Sequence, residues 1–148
     1  MIKKTILLTG CLLLALNAPA LEAGLIAGSI SQPSSFCYGL SAGMGLIVPM
    51  LKLEFEGYRI KEPGLNSLSA AVKFRPKFGS FAPYVFLGAG SKFEKLNFSF
   101  SEYNFYTMLG GGFHIFFSSM FSLRFDLRFL HFSDIDNTRV SGGIFIHL

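Results

Sequence analysis

The chain has few of the features on which a small soluble domain relies. Only 15% of its 148 residues are charged, and tryptophan is absent. Its two cysteines, Cys11 and Cys37, cannot supply a disulfide framework once the N-terminal one is removed. Its three histidines, His114, His131 and His147, lack metal-ligand spacing, so no metal site and no cofactor are expected. The formal charge of +4 is unclustered, which excludes a nucleic-acid partner. Beyond the first two dozen residues, no apolar run reaches the roughly 18 to 20 residues of a spanning helix. What the chain does have is 51% hydrophobic residues, 18 Phe, 16 Gly and a mean hydropathy of +0.48. An apolar surface without a spanning helix leaves closed strands as the way into a membrane.

The N-terminus reads as a secretory signal peptide over residues 1–23, followed by one domain over 24–148. Lys3 and Lys4 form its basic start and Thr5 to Leu16 its apolar stretch. Ala18-Pro19-Ala20 and Leu21-Glu22-Ala23 are alternative small-residue cleavage sites, with cleavage after Ala20 or after Ala23. Leu8-Thr9-Gly10-Cys11 has the look of a lipoprotein box, but the apolar run continues past the cysteine. Removal of Cys11 leaves Cys37 alone, with an intermolecular disulfide, and through it a homodimer, open.

The remainder divides into eight short runs separated by turn residues, near 24–32, 35–48, 51–60, 65–75, 82–93, 102–117, 120–133 and 138–148. The predicted fold class is all-β, an eight-stranded antiparallel transmembrane β-barrel of the bacterial cell outer membrane. Alternation is clearest in the seventh run. There Phe121, Leu123, Phe125, Leu127 and Phe129 share one face, and Ser122, Arg124, Asp126 and Arg128 the other. In a small barrel the apolar row faces lipid and the charged row fills the lumen. Lys52, Glu54 and Glu56 alternate with apolar residues in the same way, as do Lys73 and Arg75, so opposite charges are expected to neutralise each other inside. His114 and His147 fall on inward rows. The glycines of Gly88-Ala89-Gly90 and Gly110-Gly111-Gly112 do not precede helices, and are expected at close-packing or bend positions.

Connections at Pro49-Met50 and Ser118-Ser119 look minimal and follow even-numbered strands, as periplasmic turns should. The seventh strand then ends at the outer leaflet. Parity continues its lipid-facing row from Phe129 to His131 and Ser133. An imidazole beside a hydroxyl at the membrane-water boundary is a base next to an acyl-transfer nucleophile. The plainer alternative is a polar strand end at the interface.

His131-Phe132-Ser133, one strand from the C-terminus, resembles the motif of the PagL-type lipid A 3-O-deacylases. The signal sequence, the strand count and Pro83-Tyr84-Val85-Phe86-Leu87-Gly88-Ala89-Gly90 are similar to that family as well. The resemblance implies an outer-membrane serine esterase that hydrolyses an acyl ester of lipid A in lipopolysaccharide, with His131 and Ser133 catalytic and no metal. It also implies an acidic partner for the histidine early in the last strand, and an Asn directly after the Ser. Here Asp134 follows Ser133, and Thr138 to Leu148 contains no carboxylate. Asp134 or Asp136 is therefore the candidate orienting residue, and Asn137 a candidate oxyanion donor. The alternative functions are a non-catalytic small outer-membrane barrel with a structural or surface-interaction role, and a soluble periplasmic β-sandwich or lipocalin-like binder.

Overall fold

The computed structural model describes residues 20–32, 34–48, 50–94 and 103–148. The proposed signal segment up to residue 19, together with Pro33, Pro49 and residues 95–102, lies outside them. Eight strands follow one another: β1 (Leu21–Ser31), β2 (Ser34–Gly45), β3 (Leu51–Ile60), β4 (Asn66–Phe74), β5 (Phe81–Phe93), β6 (Asn104–Phe116), β7 (Phe121–Phe132) and β8 (Asp136–His147). Each pairs antiparallel with its neighbour, and β8 returns to β1, with Glu22 opposite His147 and Ile30 opposite Arg139. No sheet edge remains, and every ladder group finds its partner within the wall. Among the described residues there is no helix.

Alternation sorts the side chains as the barrel requires. Leu25, Leu40, Phe55, Val72, Leu87, Leu109, Phe125 and Val140 project outward and are exposed, an apolar exterior for lipid. A soluble sandwich or binder would show the reverse, with this apolar face enclosed.

The inside is polar, packed and paired. Glu54 accepts from Arg124 at 2.7 Å and from Arg128 at 2.7 Å, and also binds Lys73. Glu56 accepts from Arg124 at 2.9 Å and Arg128 at 3.0 Å, and binds Arg139. Asp126 takes Arg128 at 2.9 Å and the Tyr84 hydroxyl at 2.9 Å. Burying these ions is costly, and the shared pairs offset that cost. Towards the end away from the termini, the lumen is closed by Ile30, Cys37, Ile60, Tyr58, Tyr106 and Phe132, all buried. The interior is therefore a filled core and not a pore.

Two glycines of the central run show why side chains are excluded there. A Cβ on Gly110 would lie 2.2 Å from the Leu127 carbonyl oxygen, and one on Gly112 would lie 2.0 Å from that of Phe125. The walls approach too closely for any other residue.

Three expectations change. β1 begins at Leu21, three residues earlier than the expected 24, and Glu22 takes a place in the wall. β2 ends at Gly45, not at Val48, because Leu46 and Val48 bond back to Leu51 and form a turn. β8 starts two residues earlier than expected, at Asp136, since only three residues separate it from β7. Cys37 points into the lumen at 2% exposure, which closes the disulfide route to a homodimer.

Candidate functional site

At the end of the barrel away from the termini, β7 and β8 form a tight hairpin. Its last register pair is His131 opposite Asp136. Both residues lie on the outward parity, and their side chains are 75% and 79% exposed. His131 Nδ1 and Asp136 Oδ1 are 2.5 Å apart, a short hydrogen bond across the strands. On the other side of His131, β6 places Thr107 directly opposite, also facing out. A shallow groove of about 280 Å³ runs beside the pair, walled by Leu87, Leu109 and Phe129 and edged by Thr107, His131 and Asp136. The groove is thus apolar along its walls and ends at an imidazole-carboxylate pair.

The other residues singled out from the sequence are placed differently. Ser133 is the first residue of the turn, exposed, one position beyond the end of β7. Among the described residues its hydroxyl makes no hydrogen bond, to His131 or to any other group. Asp134 lies exposed in the same turn. Asn137 has the opposite parity to Asp136 and is buried. Its Oδ1 accepts the Gln32 backbone N–H at 2.8 Å and sits 3.4 Å from the Ser31 hydroxyl, so it ties the hairpin to β1 and is not turned towards His131. Of the two aspartates, geometry brings Asp136 to the histidine. Sequence placed it in a loop only because the start of β8 was set too late. Thr107 was missed because nothing in its own strand distinguishes it, and only the pairing of β6 with β7 brings it beside His131.

A second polar cluster fills the lumen near the termini. Arg75 donates to His114 Nε2 at 3.1 Å, so His114 carries its proton on Nδ1, 2.9 Å from the Ser122 hydroxyl. The Ser122 hydroxyl in turn lies 2.7 Å from His147 Nε2, and His147 Nδ1 lies 3.4 Å from Glu22, which also binds Arg75 at 2.6 Å. Ser122, His147 and Glu22 thus share the connectivity of a serine-hydrolase triad. Ser122 has no accessible surface, and its hydroxyl is held by two imidazoles. The ring joins β1, β6, β7 and β8 to the residue after β4, and its serine presents no face to a substrate.

No family model matches the sequence, and no curated protein matches it. Solved structures do match in shape. The N-terminal β-barrel domain of Pseudomonas aeruginosa OprF superposes with a TM-score of 0.74 at 15% identity, over 87% of this chain and 97% of that one. A de novo designed transmembrane β-barrel gives 0.70 at 16% identity, over 89% and 98%. The outer membrane enzyme PagL gives 0.50 at 17% identity, over 86% and 98%. A designed barrel fits as well as natural ones, so the shape by itself assigns no activity. The chain is an eight-stranded antiparallel β-barrel of the kind found in bacterial outer membranes.

Proposed function

We propose that this barrel is a lipid A deacylase of the outer leaflet, a serine ester hydrolase with Ser133 as nucleophile, His131 as general base and Asp136 as the group that orients the base. The reading rests on the 2.5 Å hydrogen bond between His131 and Asp136 on the lipid-facing wall. A carboxylate on Nδ1 fixes the proton there and leaves the Nε2 lone pair free to accept one. β5 ends at Phe93 and β6 begins at Asn104, the widest gap in sequence between successive strands, both at the same end as this pair, and long connections face outward in barrels of this type. That orientation sets the pair in the outer leaflet, where acyl esters of lipid A sit near the interface.

Ser133 Oγ attacks the ester carbonyl carbon while His131 Nε2 takes the hydroxyl proton. The tetrahedral intermediate collapses by breaking the bond to the sugar oxygen, which leaves with that proton as an alcohol. Water then hydrolyses the acyl-serine by the same path, releasing a free fatty acid. Substrate binding has to bring the Ser133 hydroxyl to Nε2, as is common where catalytic hydrogen bonds tighten only in the complex. Thr107 supplies a neutral hydroxyl donor on the same face for the developing oxyanion, a part that the negative charge of Asp134 opposes.

The test is mass spectrometry of lipid A from a Gram-negative host expressing the full chain, beside Ser133→Ala and His131→Ala at matched outer-membrane levels. Loss of one acyl chain with the wild type alone is the expected result. Unchanged lipid A around a well-inserted wild-type barrel overturns the proposal and leaves a non-catalytic barrel.

A further inference from the structure

The strands carry one outward-facing cation. Lys52, Lys73, Lys92, Arg124, Arg128 and Arg139 are all buried in the lumen, whereas Arg59, one residue before the end of β3, is exposed on the lipid-facing parity. Among the described residues it has no ion pair. A cation on this face is tolerated only near the interface, and Arg59 lies at the same end of the barrel as the β7–β8 hairpin. Register sets Tyr38 on one side of it and Asn66 on the other, two neutral side chains with hydrogen-bond donors. The connection that follows adds exposed Lys61 and one carboxylate, Glu62.

Beneath Arg59 the wall is hollow. The outward row of β3 reads Leu53, Phe55, Gly57, Arg59, and Gly57 is flanked across the strands by Leu40 and Leu68. Unlike Gly110 and Gly112, this glycine is not imposed by close backbone approach. A Cβ here would meet only the tip of Leu68, at 3.2 Å, and the Ser67 carbonyl oxygen at 4.0 Å. The missing side chain opens a groove of about 600 Å³ that runs from Arg59 and Tyr38 down between Leu40 and Leu68. The same leucines and Gly57 also line a larger apolar groove of about 1040 Å³, floored by Ala42, Ala70 and Ala89.

We propose that Arg59 and the Gly57 groove form a binding site for a phosphorylated lipid of the outer leaflet, diphosphorylated lipid A, with a phosphate on the guanidinium and an acyl chain over Gly57. A guanidinium without an ion pair among the described residues, set above an apolar channel, complements that amphiphile in charge and in shape. β3 lies across the barrel from β7, so the site is separate from His131. It shares with the proposed function only the outward orientation of this end.

The test uses the full-length mature barrel, delipidated in a non-ionic maltoside detergent, with native mass spectrometry counting bound diphosphorylated lipid A. One molecule per wild-type barrel is expected. Arg59→Gln and Gly57→Leu should each weaken retention on the order of tenfold, the scale of one charge-assisted guanidinium–phosphate pair, whereas Arg59→Lys should retain most of it. Lipid A stripped of phosphate should bind the wild type as weakly as intact lipid A binds Arg59→Gln. Equal retention by the folded variants, or equal binding of the phosphate-free lipid, overturns the site. Where a variant fails to fold, salt titration of the wild type substitutes, and binding insensitive to added salt has the same consequence. Retention is counted as bound lipid and not as turnover, so failure of the esterase leaves this result standing.

Discussion

The lumen network makes Glu54 the most informative single perturbation. Its carboxylate is 2% exposed and faces three cations: Arg124 and Arg128, each at 2.7 Å, and Lys73. Glu54→Gln keeps the shape and removes the charge. Arg124 and Arg128 keep Glu56 at 2.9 and 3.0 Å and have Asp126 alongside, so neither is orphaned. Lys73 loses its counter-charge and keeps the Tyr84 ring, 4.2 Å from its Nζ, with a neutral amide oxygen in place of the carboxylate. The lumen already holds seven lysines and arginines against four carboxylates, and the change widens that excess. Orphaning one partner of a buried ion pair costs about 3 to 5 kcal/mol, a large part of the roughly 5 to 15 kcal/mol that holds a domain folded. Urea unfolding in detergent micelles, followed by circular dichroism and by heat-dependent gel mobility, should therefore show a much lower midpoint for Glu54→Gln. Lys73→Met in the same background should recover most of the loss, because it removes the orphaned ammonium. A Glu54→Gln barrel within about 1 kcal/mol of wild type would mean that the lumen charges are solvated like surface pairs, and would refute the account of a packed ionic core.

Three further outcomes follow. If the esterase proposal holds, Asp136→Asn should slow deacylation by about 10² to 10⁴, a loss bounded above by that of a buried triad aspartate, while Asp134→Asn leaves the rate unchanged or raises it, both read from time courses of lipid A mass spectra. The mature N-terminus should be Leu21, seen as intact mass, because cleavage after Ala23 would remove Glu22 and leave Arg75, bound to it at 2.6 Å, without its carboxylate. Cys37 should resist maleimide in the folded barrel and react fully after unfolding, since it is 2% exposed and faces the lumen.

What the sequence by itself determined was everything carried by the two-residue period of a strand. The row from Phe121 to Phe129, its continuation to His131, the charged row from Arg124 to Arg128 and the inward parity of His114 and His147 all follow from alternation. The low charge and the missing spanning helix then leave a closed barrel as the only home for that pattern. Cross-strand pairing is different, because register depends on where each turn closes and not on the residues of one strand. Only the tertiary structure set Asp136 opposite His131, turned Asn137 inward and brought Thr107 alongside. It also showed that Ser133 lies just past the strand, and that Gly57 beneath Arg59 is an opening and not a packing requirement. Each of these depends on a neighbour dozens of residues away or on a turn only three residues long, where a shift of one position would reverse which face a side chain occupies.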